Sequence, residues 1–231
     1  MGHVEVILAF VLFMGVLIFG LYFFNPLSNE RVLDSSLFYA VDEVMKNTTR
    51  EILTYGISLN DSDFALAQNI SFPLSREGIE GEGVYVETST GMRLRGNYAA
   101  GALYVSRNNS EFFYARLGNF ITGDGPIANA ASFDYGSNYT ISSSDKKKVV
   151  SEVLLLELNQ SYYSDYESVR TLFNLPRRVD FAVDAVIDGG DAIRMSRQIP
   201  EGVEVVSQIE RVEILRIDGR ISFAEINVRV W

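Results

Sequence analysis

From Val6 to Phe24 the chain reads VILAFVLFMGVLIFGLYFF, with no charge and no proline. As an α-helix this run would extend about 28 Å, close to the hydrocarbon thickness of a bilayer. The pattern therefore predicts a membrane-embedded helix over 1–25. Asn25-Pro26 ends it, because a residue before proline is biased out of the helical region. One acidic residue, Glu5, stands at its entrance. A cleaved secretory signal fits less well, since no Lys or Arg precedes the run and bulky Leu21, Tyr22, Phe23 and Phe24 close it.

The period then changes. Leu33, Leu37, Val41, Val44, Thr48 and Ile52 recur at three- and four-residue spacing, and Phe38, Met45 and Leu53 widen the stripe. Asp34, Asp42, Glu43, Lys46 and Arg50 fill the opposite face. This predicts an amphipathic helix within 26–56, following the first and stopping near Gly56.

Beyond it, 57–83 reads as mostly loop, with Glu77, Glu80 and Glu82 in an acidic run that lacks the spacing of a calcium loop. From Val84 onward, short β-branched and aromatic segments alternate with turn residues. The stretch from Val149 to Leu158 is ambiguous and is read as strand. A short helix is expected near 165–174, with Ser164 and Glu167 as a capping box and Pro176 beyond it. Two hairpins follow, turning at Gly189-Gly190 and Asp218-Gly219, with a bulge near Glu210-Arg211. The fold class expected is mainly β (α+β). A long N-terminal hydrophobic helix leads into an antiparallel β-sandwich-like domain over 57–231.

Charge and composition narrow the function. The net charge of −10 argues against nucleic-acid binding. The absence of cysteine excludes disulfides, thiolate metal sites and a cysteine nucleophile. The single histidine is His3, beside the apolar run. With no nucleophile motif and no metal-ligand cluster, no enzyme, cofactor or metal is expected. Asp180, Asp184, Asp188 and Asp191 read as the wet side of a strand and its turn. A hydrolase using them is the minor alternative. Lys146-Lys147-Lys148 reads as a solvated edge, and the strand tyrosines as half-buried packing rather than a sugar platform. Asn-x-Ser/Thr sequons at Asn47, Asn60, Asn69, Asn108, Asn138 and Asn159 all follow the apolar run, which suggests an extracellular, N-glycosylated domain.

The order of short lead, Glu5, long apolar helix and folded domain resembles the type IV pilin family, in particular the archaeal pilin-like proteins with a class III signal peptide. The resemblance covers about the first quarter of the chain. It implies processing by a prepilin peptidase, and Glu5 takes the family's fifth position if Met1 stands first in the mature chain. It also implies a structural subunit of a cell-surface filament, with the membrane as first host and other copies or pilin-like subunits as partners. Glu5 would pair across subunits, since a charge at the edge of hydrocarbon is costly alone. Close packing would use the small residues Ala9, Gly15 and Gly20. The alternative is a single-pass anchored binding or adhesion protein that never polymerises.

Overall fold

Two helices open the chain, and they are built to opposite rules. The computed structural model describes residues 2–23, 29–60, 67–74 and 83–231. The stop at Asn25-Pro26 and the acidic run of Glu77, Glu80 and Glu82 lie outside them. Helix α1 spans Gly2–Phe23 and α2 spans Asn29–Thr48. Strand β1 (Thr49–Leu59) follows α2 with no intervening loop. Next come β2 (Asn69–Pro73), β3 (Val84–Thr88), β4 (Arg93–Ala99), β5 (Ala102–Ser106), β6 (Phe112–Leu117), β7 (Ala131–Ser132) and β8 (Tyr139–Ser151). Helices α3 (Glu152–Ser164) and α4 (Tyr166–Leu172) precede β9 (Phe181–Ile187), β10 (Ala192–Met195), β11 (Val206–Leu215) and β12 (Ile221–Val230).

The expected antiparallel sandwich is corrected. The strands form one mixed sheet of twelve, in the order β10-β9-β12-β11-β8-β1-β6-β3-β4-β5-β2-β7. Two of its pairings are parallel, β11 with β8 and β2 with β7. A sandwich needs a second sheet as cover, and here cover comes in two other ways. On the C-terminal part, α2, α3 and α4 supply it. Leu37, Val41 and Val44 of α2 and Leu155 and Tyr162 of α3 share a core with Phe181, Val183, Ile226 and Val228. On the N-terminal part the sheet rolls onto itself. Strands β2 and β8 are far apart in strand order, yet the Phe72 ring lies 5.0 Å from that of Tyr139 and 5.7 Å from that of Phe113. Tyr139 Oη donates to the Pro73 carbonyl at 2.8 Å.

The membrane-spanning helix is corrected too. Among the described residues, no helix is long and apolar enough to cross a membrane.

Smaller differences have local causes. The second helix stops at Thr48, where Thr48 Oγ1 turns back to the Val44 carbonyl at 2.7 Å. Ile52 and Leu53 therefore belong to β1 and point into different clusters. Phe38 leaves the buried stripe and is 66% exposed. Strand β8 runs to Ser151 and α3 begins at Glu152, so the strand reading of 149–158 holds for only its first residues. Asp165, not Ser164, caps α4 by accepting from the Ser168 amide at 3.2 Å. The Ser168 hydroxyl also donates to Asp165, and these two bonds hold its carboxyl below the usual range. The β11–β12 register is unbroken, and the bulge lies instead at Gly56/Ile57, between β1 and β8.

A small cluster of Ile52, Tyr85, Ile121, Val149 and Leu215 joins the two parts. The β11–β12 turn docks there. A Cβ on Gly219 would sit 2.7 Å from the Tyr85 ring, and its φ of +87° also favours glycine. In the helix-covered core, Tyr162 Oη donates to the Phe181 carbonyl at 2.6 Å and Tyr166 Oη to Asp180 Oδ1 at 2.7 Å. Burial pushes both phenols well above their ordinary range.

Candidate assembly site

Among the described residues, helix α1 carries the longest run of exposed apolar side chains. Every residue from 4 to 19 is exposed, including Phe10, Leu12, Phe13, Ile18 and Phe19. The apolar side chains lie on all sides rather than in one stripe. A helix apolar all round is normally found buried, and none of the described residues covers this one.

At about 100° per residue, Ala9 and Gly20 fall within about 20° of each other, three turns apart. Glu5 lies about 40° to the other side of Ala9. These three share one face. Gly15 stands about 120° from Ala9 and belongs to another. The expected set of small residues is thus split over two faces. A Cβ at Gly15 would meet nothing within 4 Å, so this glycine is not demanded by packing inside the chain. Glu5 sits in the first turn, where the partial positive charge of the helix end favours a carboxylate.

No family model, no curated protein and no solved structure matches the chain.

Sequence reasoning missed the outward side of α2. Phe38 and Tyr39 both point out, with ring centroids 6.1 Å apart in an edge-to-face pair. Their signal was present: Asp34, Ser35, Asp42 and Lys46 lie on the same exposed side, between buried Leu33, Leu37 and Val41.

The sequons divide by environment. Asn47 Nδ2 donates to the Glu43 carbonyl and carboxylate at 2.7 and 3.0 Å. Asn60 Nδ2 donates to Gly136, Asn69 Nδ2 to Ala128, and Asn138 Oδ1 accepts from the Asp134 amide. Asn159 is half-buried on α3, with its carbonyl oxygen unpartnered among the described residues. Asn108 is exposed in the β5–β6 turn, at φ 45°, with no side-chain hydrogen bond among the described residues.

The four aspartates do not converge. Asp180 accepts from Tyr166, Asp184 pairs with Arg229 at 2.5 Å, and Asp191 pairs with Arg216 at 2.6 Å. Asp188 flanks the Gly189-Gly190 turn. Among the described residues no group of three or more His, Asp or Glu is placed to hold a metal. Of the basic run, Lys146 pairs with Glu51 at 2.9 Å and Lys147 with Glu213 at 2.7 Å.

Proposed function

We propose that the protein is a structural subunit, pilin-like, of an archaeal cell-surface filament, and that copies associate through α1. The observation that carries this reading is the exposure of α1 on all sides, next to a body whose own cores are filled. Copies of the same helix supply the missing cover, with the face of Glu5, Ala9 and Gly20 for one close approach and that of Gly15 for another. The β-rich body faces outward and Asn108 is the glycan position its environment favours. A prepilin peptidase is the processing partner.

The test is the mass and N-terminal sequence of the protein recovered from sheared surface material. A processed terminus with Glu5 fifth, in high-molecular-weight material, is the expected result. Recovery solely as an unprocessed chain in the membrane fraction would replace the filament with a non-polymerising anchor. Gly15→Leu is expected to cut filament yield while leaving the folded body intact. Unchanged yield would remove Gly15 from the packing surface.

A further inference from the structure

The twelve-stranded sheet ends in two unlike edges. At one end β7 is two residues long, and soon after it the chain bridges to β8 between Tyr135 and Tyr139. At the other end stands β10, whose one neighbour among the described strands is β9. In an antiparallel ladder, alternate residues turn both backbone groups to the same side. Arg194 and Ser196 turn theirs away from β9, for the side chain of Tyr163 meets them there. Tyr163 Oη donates to the Arg194 carbonyl at 3.1 Å and accepts from the Ser196 amide at 3.3 Å. Ala192, two residues before Arg194, has the same orientation and is exposed. Tyr163 lies in the last turn of α3 and is itself 62% exposed, so burial does not account for where its hydroxyl points. Its ring stands edge-on to that of buried Tyr162, with centroids 5.4 Å apart, which fixes the phenol beside the strand.

We propose that Tyr163 guards this edge, and that the strand it excludes is β10 of a second copy of the chain. An open edge presents a row of unpaired N–H and C=O groups and is a template for another strand. An added strand would need the Arg194 carbonyl and the Ser196 amide, and would have to displace the hydroxyl from both. A phenol can donate and accept at once, so one side chain stands in for a neighbouring strand at two groups of opposite kind. A second copy is the matching partner because its β10 presents the same outward groups, and a two-fold axis lets each edge satisfy the other. The inference goes beyond the filament reading and does not rest on it.

The chain has no cysteine, so a single introduced thiol reports alone. Ala192→Cys places it on the edge, and Met92→Cys places it on the exposed turn between β3 and β4 as a control. Each is made with and without Tyr163→Ala in the full chain, in non-ionic detergent, and the disulfide-linked dimer is measured after mild oxidation. At Ala192→Cys the yield is expected to rise roughly tenfold when Tyr163 is removed, the scale that two hydrogen bonds protect. At Met92→Cys no rise is expected, which separates edge pairing from association through α1. Tyr163→Phe keeps the ring on Tyr162 and removes the hydroxyl alone. It is expected to raise the Ala192→Cys yield about threefold and, in dilute monomer, to speed hydrogen exchange at the Ser196 amide by about as much. Circular dichroism checks the fold of both variants, and the phenylalanine variant carries the test where the alanine variant does not fold. An unchanged Ala192→Cys yield, an equal rise at Met92→Cys, or an unchanged Ser196 exchange rate overturns the proposal. A tyrosine that merely anchored α3 would lower the melting temperature on removal and leave the disulfide yield where it was.

Discussion

Helices α1 and α2 are nearly the same length, 22 and 20 residues, and follow one another, yet they solve opposite problems. Helix α2 has one apolar stripe. Leu33, Leu37, Ala40, Val41 and Val44 are buried against β11, β12 and α3, and each large aliphatic side chain gains on the order of 1.5–3 kcal/mol from that burial. Its other side is polar apart from Phe38 and Tyr39. Helix α1 has no stripe, because it has no polar side to oppose one. Patterning, more than hydrophobicity, decides whether a helix closes its own domain or is left exposed by it.

The comparison can be broken most severely from the covered side. Val44 is fully buried, and Val44→Asp places an unpaired carboxylate in the helix-covered core. A loss of about 3–5 kcal/mol is expected, read as a fall in the urea midpoint. An unchanged midpoint would mean that α2 is not part of the folded core.

Tyr162→Phe tests the same core more gently. It leaves the Phe181 carbonyl without its donor and is expected to cost about 1–2 kcal/mol. Its alkaline behaviour carries a sign. Burial raises the Tyr162 phenol in the folded state, so the folded chain keeps a proton that the unfolded chain releases above about pH 10. Stability is full below that pH and falls as pH rises beyond it. The variant should flatten this decline, and an equally steep curve for both proteins would assign the decline elsewhere.

The uncovered side should respond least in stability. Phe38→Ser and Gly15→Leu are each expected to change the unfolding free energy of the body by less than about 0.5 kcal/mol in the dispersed chain. Thermal melting in detergent checks this. A larger loss in either variant would show that the side chain, or the space beside it, is used within one chain.

The legible parts of the fold are those with one wet face. Strand β12 alternates cleanly, and Ala224, Ile226, Val228 and Val230 are the residues it buries. The stripe of α2 is readable as far as Val44 for the same reason. Strand β1 is not, because both its faces are covered: Ile52 and Leu53 are adjacent and both buried, as are Tyr55, Gly56 and Ile57. With no period of two to set against it, Ile52 prolongs the helical spacing beyond the true end at Thr48. The start of α3 is hidden similarly, since no Gly or Pro separates Val149-Val150 from Leu154-Leu155.

The sandwich failed at a larger scale. Short strands with turns between them fit a sandwich and a rolled sheet equally. What decides is the meeting of Phe72 with Tyr139, and the cover of β9 and β12 by helices that lie earlier in the chain. The candidate assembly residues Glu5, Ala9, Gly15 and Gly20 read as one set in the sequence, and helical geometry separates Gly15 from the other three.

The loopless step from Thr48 to Thr49 has a mechanical consequence. Any tension applied at the amino-terminal end is delivered by α2 into β1. That strand is hydrogen-bonded to β8 along its whole length on one side and to β6 over Leu53–Ser58 on the other. The load therefore enters an interior strand and not an edge that could be peeled away one bond at a time. A body tethered in this way can be towed by its first helices without its attachment strand being the first thing to tear.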